Sequence, residues 1–319
     1  MSKNIFFTIF REPLIKFKII SRIINLFQNP IKFIFRYYIK KQYNMPLLLR
    51  NNKKINITEK DTFFLNWFLR TGCRIDVTED GEFLLYYKGM KLLIRPGGEQ
   101  FFVFYEIFLK DTYKLSSLSY ERYENIIDIG AHVGYFTCAM LNKSNKVISI
   151  EPVDDNYRQA VKNVLLNGGN LSNILNYAVV GKETDKKIKI YVDKTAKARS
   201  SISDIVIKEL NNVELVNCIS LHKIFIDYNL SSVDLVKCDA EAAEYDIFLN
   251  TPFEILKTIK KIVMEIHINE KWPINYAEDL IKYFNDAGFK VDCDLPKNDI
   301  NKARDFTTIL VAVQNGEIN

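Results

Sequence analysis

The sequence predicts an α/β fold: a mostly parallel sheet with helices on both faces and an antiparallel strand at one edge. Three observations carry this. From Ile126 onward, apolar runs of strand length alternate with stretches of helical period, the mark of a parallel sheet. The run Ile126–Ile129 passes through Gly130 and Gly134 into a helical stretch, then into a second apolar run ending at Glu151, which is a strand, glycine turn, helix and strand in succession. The last two runs, 289–294 and 307–313, are joined by polar residues with no helical pattern, so they pair antiparallel.

In order, the chain divides into a basic amphipathic helical arm (1–50), a small α+β extension (51–122) and the sheet domain (123–319). Within the arm Ile20, Ile23, Ile24 and Phe27 fall on one helical face. Lys32, Arg36 and Lys40 make a basic stripe at four-residue spacing beyond Pro30. This pattern suits a helix lying in a membrane interface, with packing on the body or oligomerisation as the alternatives. Asn51–Lys54 reads as a polar linker and Asp61–Leu69 as a helix. Strands follow at Arg74–Val77, Phe83–Tyr87 and Lys91–Ile94, turned by Asp80-Gly81 and Lys88-Gly89. A buried helix spans Phe101–Leu109.

In the sheet domain strands are expected at 126–129, 146–151, 174–180, 233–238, 260–267, 289–294 and 307–313. Helices are expected near 133–141, 154–167, 219–228, 243–250 and 276–287. Residues 187–215 form an insertion, in which Arg199-Ser200-Ser201 is a weak candidate for contact with an acceptor.

Composition narrows the function. Five scattered cysteines, never in C-x-x-C pairs, argue against a disulfide framework or structural zinc and for a reducing, cytoplasmic compartment. Three histidines make a multi-histidine metal site improbable, and no metal ligand set is assigned. Residues 1–44 hold nine Lys/Arg and one acid, so the arm carries +8 and the remaining 275 residues −3 of the net +5. The basicity therefore belongs to the arm, and a basic body for nucleic acid is absent. The arm would hold the protein at the cytoplasmic face of a membrane. No run of about 18 apolar residues, the length of a spanning helix, occurs. Oligomeric state is not legible.

The glycine turn points to the ligand. A dinucleotide fingerprint is G-x-G-x-x-G. Here the pattern is Asp128-x-Gly130-x-x-x-Gly134, with His132 at the middle position. Gly130 would let a ligand approach the backbone closely. Asp128 would repel a pyrophosphate and suit a ligand with an ammonium group. Glu151, 21 positions after Gly130, stands where a ribose diol would lie. S-adenosylmethionine (SAM) has the adenosine, the sulfonium and the amino-acid tail, and no phosphate.

A second group of acids lies at later strand ends. Leu235–Glu244 ends one strand and Ile262–His267 the next, so Asp239, Glu241, Glu265 and His267 are expected to converge beside the first site. Carboxylates there can orient a hydroxyl, hold a metal or accept a proton, and histidine is a base near neutral pH. His267 or Asp239 is the nominated base, with Glu241 as their neighbour. A divalent ion on Asp239 and Glu241 would lower a hydroxyl pKa instead. The plain reading of Glu244 is a charge at a helix start, favoured by the macrodipole.

These residues resemble the FkbM-type methyltransferases of the class I SAM-dependent group. The marks are Arg95-Pro96-Gly97, Glu106-Ile107-Phe108 and Tyr113, then Asp128 to Gly134, Glu151-Pro152, Ala178–Gly181, Lys237–Glu244 and Glu265-Ile266-His267. The resemblance implies a Rossmann-like sheet, SAM as methyl donor, and methylation of a hydroxyl on a sugar, glycan, glycolipid or natural product. It implies that Asp128, Gly130, His132, Gly134 and Tyr135 cradle the methionine part of SAM, with Glu106 also in the cofactor site. Glu151 and Pro152 would meet the ribose, Ala178 or its neighbours the adenine, and Asp239 would sit near the methyl group. The family usually has Asn where His132 stands and Gly where Ala242 stands. The rival readings are a non-catalytic SAM-fold module and a nicotinamide-dependent oxidoreductase. The missing middle glycine and Asp128 count against the latter.

Overall fold

A computed structural model describes residues 23, 24, 26–34, 36, 45–49, 52, 54–57, 65, 67, 68, 73–96, 99–118, 122–192, 213–269, 272–295 and 306–316. The chain falls into two units, Met1–Glu106 and Ile107–Asn319.

The first unit holds a short helix α1 (Pro30–Ile34) and an antiparallel pair, β1 (Met45–Leu48) with β2 (Lys54–Ile57). A meander of β3 (Arg74–Val77), β4 (Phe83–Tyr87) and β5 (Met90–Ile94) follows, then helix α2 (Gln100–Phe108). The meander turns where expected: Gly81 and Gly89 have φ of 81° and 82°, which glycine adopts without a Cβ penalty. Its core is aromatic, with Phe68 5.0 Å from Phe104 and 5.7 Å from Phe101 between ring centroids. The polar linker expected at Asn51–Lys54 is in part the turn of a hairpin. Asn52 takes φ 66° and Lys54 already pairs with Leu48. Of the helix expected at Asp61–Leu69 only Leu65, Trp67 and Phe68 are described, and these are helical.

Much of the arm, Ile20 and Lys40 included, lies outside the described residues. Ile23, Leu26, Phe27 and Phe33 are buried, and Phe27 bridges to Leu49. In this conformation most of the described apolar face is already covered by protein, whereas Ile31 remains 80% exposed.

The second unit begins its regular structure with β6 (Tyr123–Ile129), α3 (Tyr135–Leu141), β7 (Ser144–Ile150), α4 (Asp154–Leu166) and β8 (Ile174–Leu175). Next come β9 (Ala178–Val180), β10 (Ile188–Tyr191), β11 (Val213–Val216), β12 (Cys218–Ser220) and α5 (Leu221–Asp227). The chain then runs through β13 (Val233–Cys238), α6 (Glu244–Leu249), α7 (Phe253–Leu256), β14 (Ile259–Ile268), α8 (Ile274–Asp286), β15 (Phe289–Cys293) and β16 (Phe306–Gln314).

Seven strands form one sheet in the order β15-β16-β14-β13-β6-β7-β8. The strands from β14 to β8 run parallel, and β16 lies antiparallel between β14 and β15. The apolar runs behave as parallel strands buried on both faces should, with Ile126, Ile127, Val236, Ile262 and Met264 fully inaccessible. The expected strand 174–180 divides. Its first two residues join the sheet, while Ala178–Val180 pairs in parallel with β12 in a separate two-stranded piece. Asn176 marks the break, its side-chain amide donating to the backbone oxygens of Glu151 and Pro152. Residues 193–212 of the insertion, with Arg199-Ser200-Ser201, lie outside the described residues.

After β8 the winding crosses back over β6 to lay down β13 on its other side. The strand order therefore reverses between β6 and β13, and the crevice at their carboxyl ends is where an open α/β sheet receives a ligand.

Candidate active site

The turn after β6 is held by its neighbours. Gly130 has φ 71°, and a Cβ there would stand 1.8 Å from the backbone oxygen of Asp239. Asp239 N–H in turn donates to the Ile129 carbonyl at 3.0 Å. The close approach expected of a ligand at Gly130 is made by the chain itself. Gly134, φ 78°, brings the turn onto α4, where a Cβ would meet Ala160 at 3.2 Å.

Asp128 is fully buried. Its carboxylate accepts from the Thr137 hydroxyl at 2.6 Å and lies 3.2 Å from the Lys237 ammonium. Sequence reading gave Asp128 a ligand's ammonium as partner; the partner is Lys237, because Lys237 on β13 stands opposite Asp128 on β6 in the parallel register. Burial works against the Lys237 charge, but Asp128 and Asp239 hold its pKa above the ordinary value. The same ammonium donates to the Gly130 carbonyl at 2.6 Å and sits over the Tyr113 ring, 5.1 Å from its centroid. Tyr113 donates its hydroxyl to Asp239 at 2.7 Å. Lys237 thus ties the glycine turn to the end of β13. Neither Lys237 nor Tyr113 was assigned a role from sequence. The available signal was a lysine near the carboxyl end of a mostly apolar strand, which needs a counter-charge if it is buried.

Glu151, at the end of β7, is buried, and its two oxygens accept from the backbone N–H groups of Val153 at 3.0 Å and His132 at 2.9 Å. Burial pushes its carboxyl up to about 7, with those two N–H groups pulling the other way. His132 itself takes φ 50°. The side chain of Tyr135 is fully buried, and Ala178 packs in a small apolar cluster with Val153, Ile190 and Val216. At both positions the side chain is core, a correction to the expectation of ligand contact, and only backbone or neighbouring residues such as half-buried Tyr177 remain for it. Glu106 stands on α2, in the first unit.

The second group does converge at the ends of β13 and β14. One ligand atom each from Asp239, Glu241 and His267 lie within 4.8 Å of one another. His267 Nε2 is 3.6 Å from Glu241, and its Nδ1 meets the carboxylate of Glu244, a residue with no exposure at all. Glu244 is therefore more than a charge at a helix start: it opens α6 and fixes the imidazole. Burial opposes the His267 charge, but Glu244, Glu241 and Asp239 raise its pKa well above the ordinary value. Burial pushes the Glu241 carboxyl up to about 8, with Asp239, Glu244 and Glu265 adding to the rise and His267 opposing it. Glu241 and Ala242 take φ of 49° and 77°. Ala242 thus occupies a left-handed position that glycine would fill without strain.

The model of the FkbM methyltransferase domain matches residues 128–291, just over half of the chain, from the end of β6 into β15. The chain belongs to the FkbM methyltransferase domain family. The matched domain is of methyltransferase type. Among curated proteins none matches by sequence. Among solved structures, Trm5b from Pyrococcus abyssi aligns at 14% identity and TM-score 0.38 over 75% of this chain and 56% of that one. TYW2 from M. jannaschii, in complex with AdoMet, aligns at 15% and 0.38 over 72% and 84%. A methyltransferase FkbM from Methylobacillus flagellatus KT aligns at 14% and 0.38 over 63% and 46%. This chain spans little more than half of the Pyrococcus protein and less than half of the Methylobacillus one.

Proposed function

We propose that the protein transfers the methyl group of SAM to a hydroxyl of a sugar, glycan, glycolipid or natural product. The observation that carries this is Asp239. It ends β13 at the reversal of strand order, its backbone lies against Gly130, and its carboxylate is oriented by the Tyr113 hydroxyl. In this reading Glu151 and Pro152 meet the ribose, and the backbone from Gly130 through His132 and Gly134 to Tyr135 receives the methionine carboxylate and ammonium. Neighbours of Ala178 flank the adenine, and Asp128 acts through Lys237. A neutral hydroxyl needs an acceptor for its proton, and Asp239 supplies one. The oxygen attacks the methyl carbon, the C–S bond breaks, its electron pair returns to sulfur, and S-adenosylhomocysteine leaves. The sulfonium supplies the electrophilicity, so positioning is the main contribution of the protein.

The test combines calorimetry with transfer from labelled SAM to cell-envelope glycans. Asp239→Asn is expected to lower transfer by about 10²–10⁴-fold, the usual worth of a positioned base, while SAM affinity changes by no more than a few-fold. Labelling of RNA in place of glycans, or full transfer by Asp239→Asn, overturns the reading.

Contact of the arm with an anionic membrane is a further part of the proposal. Its support is the charge of residues 1–44 and the exposure of Ile31, and burial of Ile23, Leu26 and Phe27 limits it to electrostatic, peripheral contact.

A further inference from the structure

We infer that Asp239, Glu241 and His267 form a binding site for a divalent first-row metal ion at the acceptor side of the crevice. The inference rests on the methyl-transfer reading and changes one step in it. The three donor atoms lie within 4.8 Å of one another, and His267 Nε2 is 3.6 Å from Glu241. Ligands at about 2.0–2.2 Å from one ion are roughly 3–3.5 Å apart, so a small contraction closes the set.

The outer contacts are those of a ligating histidine. A metal-bound imidazole donates its other nitrogen to a carboxylate, which fixes the ring and its tautomer. Here Glu244 takes Nδ1 of His267 and leaves Nε2 directed at Glu241. Glu244 has no exposure, and its second oxygen makes no hydrogen bond. Two carboxylates and one imidazole favour a Mn²⁺-like ion over soft metals. The remaining coordination positions would take one or two acceptor hydroxyls, which suits a vicinal diol. An ion held there would lower the pKa of an acceptor hydroxyl, so that its proton could pass to solvent, with Asp239 serving as a ligand and not as the base.

The full chain, stripped with a chelator, would be titrated with Mn²⁺ and the free ion followed by electron paramagnetic resonance, with SAM titrated separately. One Mn²⁺ per chain is expected, weakened at least tenfold in Glu241→Gln and in His267→Ala, with SAM affinity of the metal-free chain within a few-fold of the loaded one. Should His267→Ala fail to fold because Glu244 loses its partner, Glu241→Gln with an unchanged melting temperature decides. Absence of saturable Mn²⁺ binding, or equal binding by wild type and Glu241→Gln, overturns the site. Mn²⁺ binding without any affinity for SAM overturns the methyl-transfer reading and leaves the site standing.

Discussion

A side chain at position 130 would enter the Asp239 carbonyl, 1.8 Å away, on a backbone at φ 71°. Gly130→Ala therefore has to move β13 or the turn, and should cost more than about 2 kcal/mol in urea unfolding, since strain and overlap add. Gly134→Ala meets only a 3.2 Å contact with Ala160 and should cost less. The reverse change applies at Ala242, φ 77°. Ala242→Gly should stabilise by about 0.5–1 kcal/mol, the relief of left-handed strain less the entropy glycine gives the unfolded chain. Glu151 gives a pH dependence. Its folded carboxyl titrates at about 7 against an ordinary 4.5, so between those values the folded state holds the extra proton. Stability then falls as pH rises through the interval, by about 3 kcal/mol in full. Melting curves at pH 5 and pH 8 should show Glu151→Gln gaining on the wild type. If Glu151 meets the ribose as proposed, SAM affinity of the wild type should strengthen over the same range, because the ionised carboxylate would be the better acceptor for the ribose hydroxyls.

Between elements, the tie from β6 to β13 is one ion pair without exposure. Lys237→Met leaves Asp128 charged in the core, and Asp128→Asn leaves Lys237 so. Each should destabilise by about 3–5 kcal/mol, with much of the loss recovered in the double variant, because the penalty is an uncompensated buried charge. Urea midpoints of the four proteins close the cycle, and additive losses would contradict it. Much of this layer was legible in advance. The run Val233–Cys238 was read to the residue, because Val233, Leu235, Val236 and Cys238 mark a strand of that length despite Asp234 and Lys237. The hairpin at Met45–Ile57 was not, because Asn51–Lys54 reads the same in a linker as in a turn.

Across the whole molecule charge is segregated, with +8 on residues 1–44 and −3 on the rest. Attraction to an anionic surface would come from the arm, at about 1 kcal/mol per basic residue, and would be screened within a Debye length. Neutralising Lys32, Arg36 and Lys40 to glutamine should lower partition onto phosphatidylserine vesicles by tenfold or more and weaken its salt dependence. Equal partition by the variant and the wild type would end the membrane proposal. No helix among the described residues is long and apolar enough to cross a membrane.

The sequence alone determined the parallel sheet, its antiparallel edge, the glycine turn and the two groups of acids at strand ends, because hydrophobic period and turn chemistry act over a few residues and are written in order along the chain. Which charges meet was decided only by the tertiary structure. Asp128 finds Lys237, and Glu244 finds His267, because the reversal of winding sets β13 between β6 and β14 in one particular register. Partners set by register across a sheet leave no local trace, and so the acids expected to converge at these strand ends gave no sign that Glu244 would hold the His267 imidazole.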